Sequence, residues 1–178
     1  LKKLFLQVIE NCSLLDIKYI VVPIVDNGSI DSIDEEECII EFLNTNKLIF
    51  EKLGLQILFE SDLKPDRFKL FMSNFDPHIF GINYDIGNSA SLDYDVREEF
   101  DAYGELVKNV HVKDRKLFGE TVPLMEGNAN FELVFKTLIK SHYAGNLILQ
   151  TARCKDGNHS YTLSKYRQIT KNLILEYS

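Results

Sequence analysis

The chain has no apolar run approaching the roughly 20 residues that a membrane helix needs, so no bilayer span is expected. Cysteine is scarce: Cys12, Cys38 and Cys154 lie far apart, odd in number, with no Cys-x-x-Cys pair. That excludes a zinc ribbon and a disulfide framework, and it points to a reduced, cytoplasmic setting. Basic charge is short as well, with 20 Lys and Arg against 27 Asp and Glu and a formal net charge of −7. A nucleic-acid footprint needs clustered cations, so no nucleic-acid partner is expected. A pocket for a small anion needs only one or two cations and stays open. No signal peptide is expected, because LKKLFLQVIENCSLL breaks its apolar residues with Gln7, Glu10 and Asn11. Leu1 opens the chain without a methionine and inside an amphipathic pattern, which suggests a natural start further upstream.

What remains is an ordinary globular composition: 178 residues, 45% hydrophobic and 26% charged, enough for one domain over 1–178 with a real core. Leu4, Phe5, Val8, Ile9 and Cys12 recur at helical spacing. KYIVVPIV (18–25) reads as a strand. Ser32-Ile33-Asp34-Glu35 fits a capping box for a helix through Ile39, Ile40, Leu43, Phe50 and Leu53, ended by Gly54. The alternation repeats: LQILFE (55–60) as strand, a short helix from Pro65, IFGINYDI (79–86) as strand and VREEFDAYGELV as helix. VKNVHVKD (107–114) is the next strand, followed by a long loop and the helix NFELVFKTLIKSH. GNLILQT then has the look of a buried core strand, and SKYRQITKNLILEY closes as an amphipathic helix. Five strands alternating with helices, without an antiparallel hairpin signal, mean parallel βα units.

Four of these strands end on residues with chemistry to offer: Glu60, Asp85, His111 and Gln150, one βα unit apart each time. In parallel α/β proteins the carboxyl ends of the strands share the face where sites are built. Each residue also has a bland reading, as helix-entry turn, turn residue, satisfied core histidine or neutral amide. Their recurrence at one topological position favours a site. Two carboxylates, an imidazole and an amide oxygen suit a divalent metal, Mn²⁺ or Mg²⁺ first, with Zn²⁺ or Co²⁺ as alternatives. Arg115 and Arg153 follow two of these strand ends, and a guanidinium there can hold a phosphate or carboxylate. Their bland reading is a surface ion pair with Asp114 or Asp156. His159, in DGNHS, can enter the same mouth from the last loop, with a solvated loop histidine as its bland reading.

YDIGNS, VHVKDR and GETVPLMEGNANFELVFKTLIKSHYAGNLILQ together resemble the xylose-isomerase-like family of TIM barrels, which holds sugar isomerases, epimerases and endonuclease IV relatives. The match runs through Asp85-Ile86-Gly87-Asn88, His111-Val112-Lys113-Asp114, Gly127 with Phe131, and Tyr143-Ala144-Gly145. The resemblance implies an α/β fold of the (β/α)8 TIM-barrel type. This chain would cover about five βα units, with the family's first three absent. Open sheet edges are a liability, so an upstream segment or a homo-oligomer is expected to complete the barrel. The resemblance assigns metal binding to Glu60, Asp85, His111 and Gln150, and the role of base to Glu60. It leaves Asn88, Arg115, Arg153 and His159 for the substrate, and Lys113, Asp114 and Glu126 behind the ligands. Met125 stands where relatives often carry glycine.

One departure touches the mechanism. The family's last glutamate is Gln150 here, and an amide has no proton to exchange near neutral pH. A two-base epimerisation scheme is then in doubt, while a one-base isomerisation with Glu60 stands. The expected activity is a metal-dependent sugar or sugar-phosphate isomerase or epimerase working through an enediolate. The alternative is a sugar-binding pseudoenzyme. An endonuclease IV-like hydrolase is less favoured, because only His78, His111, His142 and His159 are available as imidazoles.

Overall fold

The computed structural model describes residues 2–154 and 156–178. Leu1, where the expected first helix opens, lies outside the described residues. The chain forms two compact units, one ending at Asn83 and the next starting at Tyr84.

The first unit runs α1 (Lys2–Leu14), β1 (Tyr19–Ile24), α2 (Ile33–Lys52), β2 (Gln56–Ser61), α3 (Pro65–Met72) and the start of β3 (Phe80–Asp85). β1 pairs in parallel with β2, and β2 with β3. Strand alternation sends Ile57 and Phe59 to one face and Leu58 and Glu60 to the other. The first face is aromatic: fully buried Phe59 meets Phe71 and Phe75 with ring centroids 5.1 Å apart, and Phe75 meets Phe80 at 4.8 Å. Glu60 is left on the opposite side, at the carboxyl end of β2.

The capping box forms with one change. Ser32 accepts from the Glu35 amide at 3.2 Å, but the Glu35 carboxylate accepts from the Asp31 amide, one residue earlier than the motif demands. Gly54 adopts φ +66° just after α2, as a helix-ending glycine should. The stripe on α1 is narrower than its periodicity suggests. Ile9 is fully buried, whereas Leu4 is 60% exposed and Val8 43%.

The second unit holds α4 (Ile86–Ser91), α5 (Val96–Tyr103), β4 (Val107–Val112), β5 (Asp114–Arg115), β6 (Thr121–Val122), α6 (Phe131–Lys140), β7 (Asn146–Leu149) and α7 (His159–Tyr177). β4 and β7 pair in parallel, with His111 opposite Ile148 and Val112 opposite Leu149. Inside this unit Glu99 is almost fully buried and accepts from the hydroxyls of Tyr84 at 2.9 Å, Ser89 at 2.5 Å and Tyr103 at 2.8 Å. Burial pushes the Glu99 carboxyl above its ordinary range, and burial beside Glu99 pushes both tyrosines up.

Four expectations from sequence need correction here. β7 is not a buried core strand: Asn146, Ile148 and Gln150 are exposed, because among the described residues β7 pairs on one side only, with β4. The loop after β4 contains a two-residue antiparallel ladder, Asp114–Arg115 with Thr121–Val122, too short to leave a periodic signal. Residues 86–91 form a short helix capped by the Asp85 side chain, so the strand stops at Asp85 and does not run on through Ile86. His159 opens α7 instead of lying in a loop, because Asn158 caps the helix six residues before Ser164, where the expected helix starts. No helix among the described residues is long and apolar enough to cross a membrane.

Candidate metal and substrate site

In the first unit, Glu60 is the penultimate residue of β2, with only 6% of its surface exposed. Asn83, on the neighbouring strand, donates its side-chain amide to Glu60 Oε2 at 2.7 Å. Sequence reading passed over Asn83. Its signal is the strand period: it lies two residues before Asp85, hence on the same face of β3.

In the second unit, Asp85 has two distinct tasks. Its Oδ1 accepts from the Asn88 amide at 2.8 Å and so caps α4. Its Oδ2 faces His111 Nδ1 at 3.6 Å and Lys113 Nζ at 3.3 Å. His111 and Lys113 share a face by strand alternation, which is why both reach the same oxygen. A carboxylate and an imidazole so placed are hard and borderline donors of the kind that suit a small divalent ion.

Around Asp85 lies a cationic rim. Asn88, 5% exposed, accepts on its side-chain oxygen from Lys113 Nζ at 3.1 Å and from Arg115 Nη1 at 2.9 Å. Arg115 Nε donates to the Gly119 carbonyl at 2.9 Å. The surface ion pair with Asp114 does not form. Asp114 is buried and accepts instead from the amides of Gly127 at 2.8 Å and Ala129 at 3.1 Å. That fit is close, since a β-carbon on Gly127 would stand 2.6 Å from the Arg115 carbonyl oxygen. Nearby Met125 takes φ +74°, the backbone a glycine would take without strain.

The other candidates are less engaged. Gln150 follows β7, its amide donating to the Val112 carbonyl at 3.2 Å, and it is exposed. Continuing the register sets it beside Lys113 and on the same face. Arg153 is exposed and makes no ion pair among the described residues. His159 is exposed and meets Cys154, Sγ to Nδ1 at 3.1 Å, rather than Asp85 or Asn88. Glu126 is exposed, and its carbonyl takes the Lys116 ammonium.

The sequence profile of the Xylose isomerase-like TIM barrel matches residues 2–165. The chain belongs to the xylose isomerase-like TIM barrel family. Its fold class is accordingly α/β of the TIM-barrel type, a parallel sheet of five strands in about five βα units. Among curated proteins, the L-ribulose-5-phosphate 3-epimerase UlaE of Salmonella paratyphi A is 40% identical over 73 residues, which is 40% of this chain and 25% of that protein. Among solved structures, a xylose isomerase domain protein from Planctomyces limnophilus superposes with TM-score 0.78 at 17% identity, over 93% of this chain and 63% of its own. The IOLI protein, solved with a bound zinc atom, gives TM-score 0.79 at 15% identity, over 97% of this chain and 68% of its own. The matched stretch is thus a quarter of the curated relative, and the chain spans less than two thirds of the Planctomyces protein. At such identities the superpositions speak to fold alone.

Proposed function

We propose that this chain is the strand-end, site-bearing portion of a metal-dependent sugar or sugar-phosphate isomerase or epimerase. Residues 1–178 would form one domain with family βα units that this chain does not carry. The observation that supports the reading best is the Asp85 carboxylate facing the His111 imidazole, with Glu60 near the carboxyl end of β2 and Asn83 two residues before Asp85 on β3. Glu60, Asp85 and His111 would each give one ligand atom to a divalent ion, with the Gln150 amide oxygen as a weaker fourth contact. When bound, that ion would stabilise the negative charge of an enediolate. Glu60 takes the proton from the carbon beside the carbonyl, and Asn83 holds the carboxylate in place to do so. Gln150 cannot return a proton to the opposite face, so a one-base isomerisation fits these residues better than a two-base epimerisation. Asn88 and Arg115 hold the substrate, Arg153 adds an outer cation, and a reduced cytoplasmic setting suits the three free cysteines.

Calorimetry of Mn²⁺ against the metal-stripped chain should show one site, weakened in His111→Ala. L-ribulose 5-phosphate, the sugar in the name of the matched epimerase, is the first substrate to follow by NMR in D₂O. Deuterium uptake at the carbon beside the carbonyl, lost in Glu60→Gln, is the expected result. Gln150 itself favours a second reading, a sugar-binding pseudoenzyme. That reading predicts metal and sugar binding without any deuterium uptake.

A further inference from the structure

We infer that Lys113 and Arg115, gathered on the side-chain oxygen of Asn88, form a subsite for the phosphoryl group of the substrate. This rests on the isomerase reading for the identity of the substrate, but the geometry behind it is independent of any metal. Two cations stand within hydrogen-bond reach of one neutral, nearly buried oxygen, at 3.1 and 2.9 Å. Among the described residues the only carboxylate paired with either is Asp85, at 3.3 Å from Lys113, and none pairs with Arg115. Lys113 is itself only 14% exposed. Like charges held together and partly desolvated repel each other unless an anion completes the group.

Two further features look built for this arrangement. Gly87 underlies both stems: a β-carbon there would stand 2.7 Å from Lys113 Cγ and 3.2 Å from Arg115 Cγ. Only a glycine lets both side chains cross the first turn of α4 toward Asn88. The second is Gln150, which the strand register sets beside Lys113 on the same face. A glutamate at that position would neutralise Lys113. The amide leaves its charge available to a ligand. The neutral strand end is therefore explained by the ligand's charge.

A phosphoryl group suits the pair better than a carboxylate. Arg115 Nε is committed to the Gly119 carbonyl, which removes one side of the fork that a planar carboxylate would take. The three peripheral oxygens of a phosphoryl group can instead reach an ammonium and the outer guanidinium edge from different directions.

The test is calorimetry of inorganic phosphate against the full chain, both metal-stripped and Mn²⁺-loaded, with acetate at equal ionic strength as comparison. Phosphate should bind the metal-stripped chain, and Lys113→Gln and Arg115→Gln should each weaken it about tenfold. Lys113→Arg keeps the charge and should stay within about threefold of the parent, whereas Arg115→Lys keeps the charge without the fork and should fall between the parent and Arg115→Gln. Gly87→Ala keeps both charges but displaces the stems, and should weaken phosphate while Mn²⁺ still binds. Phosphate binding that is absent, or indifferent to both glutamine variants, overturns the inference. So does acetate binding as tightly as phosphate with the same dependence on the pair, which would assign the subsite to sugar acids. Failure of Mn²⁺ to bind, with pair-dependent phosphate binding intact, would remove the metal reading and leave this one standing.

Discussion

The side-chain amide of Asn83 donates to Glu60 Oε2 at 2.7 Å, from a position two residues before Asp85 on the same strand face. This bond connects the proposed base to the strand that carries the proposed metal ligand. Asn83→Leu keeps the size and removes the donor. The loss should cost about 1.5–3 kcal/mol, the range for a hydrogen bond to a charged group, read from urea unfolding of the metal-stripped chain. Groups that orient a ligand typically change metal affinity about 10–100-fold, so Mn²⁺ binding should weaken too. Lower stability with unchanged Mn²⁺ affinity would take Asn83 out of the site.

Gln150→Glu should move two affinities in opposite directions. A carboxylate in place of the amide adds a charged donor, so Mn²⁺ should bind more tightly. Beside Lys113, the same charge should weaken inorganic phosphate. Weaker Mn²⁺ binding would show that Gln150 is not a metal contact.

Glu99 gives the fold a pH dependence of its own. Its carboxyl titrates above the ordinary value of 4.5 because burial disfavours the charged form. A raised folded-state value means that the folded chain holds the proton more tightly than the unfolded chain. The contribution to stability is full below about 4.5 and is lost as pH rises through the folded-state value. Urea melts from acid to neutral pH, compared between the parent and Glu99→Gln, isolate this effect from the other carboxylates. The difference should move in favour of the glutamine variant as pH rises. A constant difference across that range would contradict the sign.

Gly127→Ala should be among the most damaging small changes. Its β-carbon would meet the Asp114 carboxylate and stand 2.6 Å from the Arg115 carbonyl oxygen, which is backbone and cannot swing aside. Overpacking of this kind costs about 1–3 kcal/mol or more. Thermal unfolding should shift down, and limited proteolysis should cut sooner between Lys116 and Glu126.

The strand ends were legible in the sequence because a parallel βα repeat is long and periodic, and Glu60, Asp85 and His111 mark its beat. The helix after Asp85 was not, since six residues do not complete two turns and Gly87 argues for a turn. The ladder of Asp114–Arg115 with Thr121–Val122 left no trace for the same reason. Leu147 to Leu149 gave the pattern of a buried strand, because an apolar run does not reveal which face is covered. From its place in sequence Arg115 is a candidate for holding an anionic group, with an ion pair to Asp114 as the bland alternative. Only the three-dimensional course of α4 shows that Asn88 is its partner.

The two oxygens of Asp85 have separate loads, and that division makes the Asn88 backbone amide a gauge. Oδ1 accepts its proton at 2.8 Å while Oδ2 faces His111 and Lys113. Charge drawn from the carboxylate by whatever Oδ2 holds weakens the bond that Oδ1 makes. The amide proton resonance of Asn88 should then move upfield as the site fills. In a single ¹⁵N-labelled sample, one peak near the start of α4 would report occupancy directly, without a chromophore, a coupled assay or knowledge of the sugar.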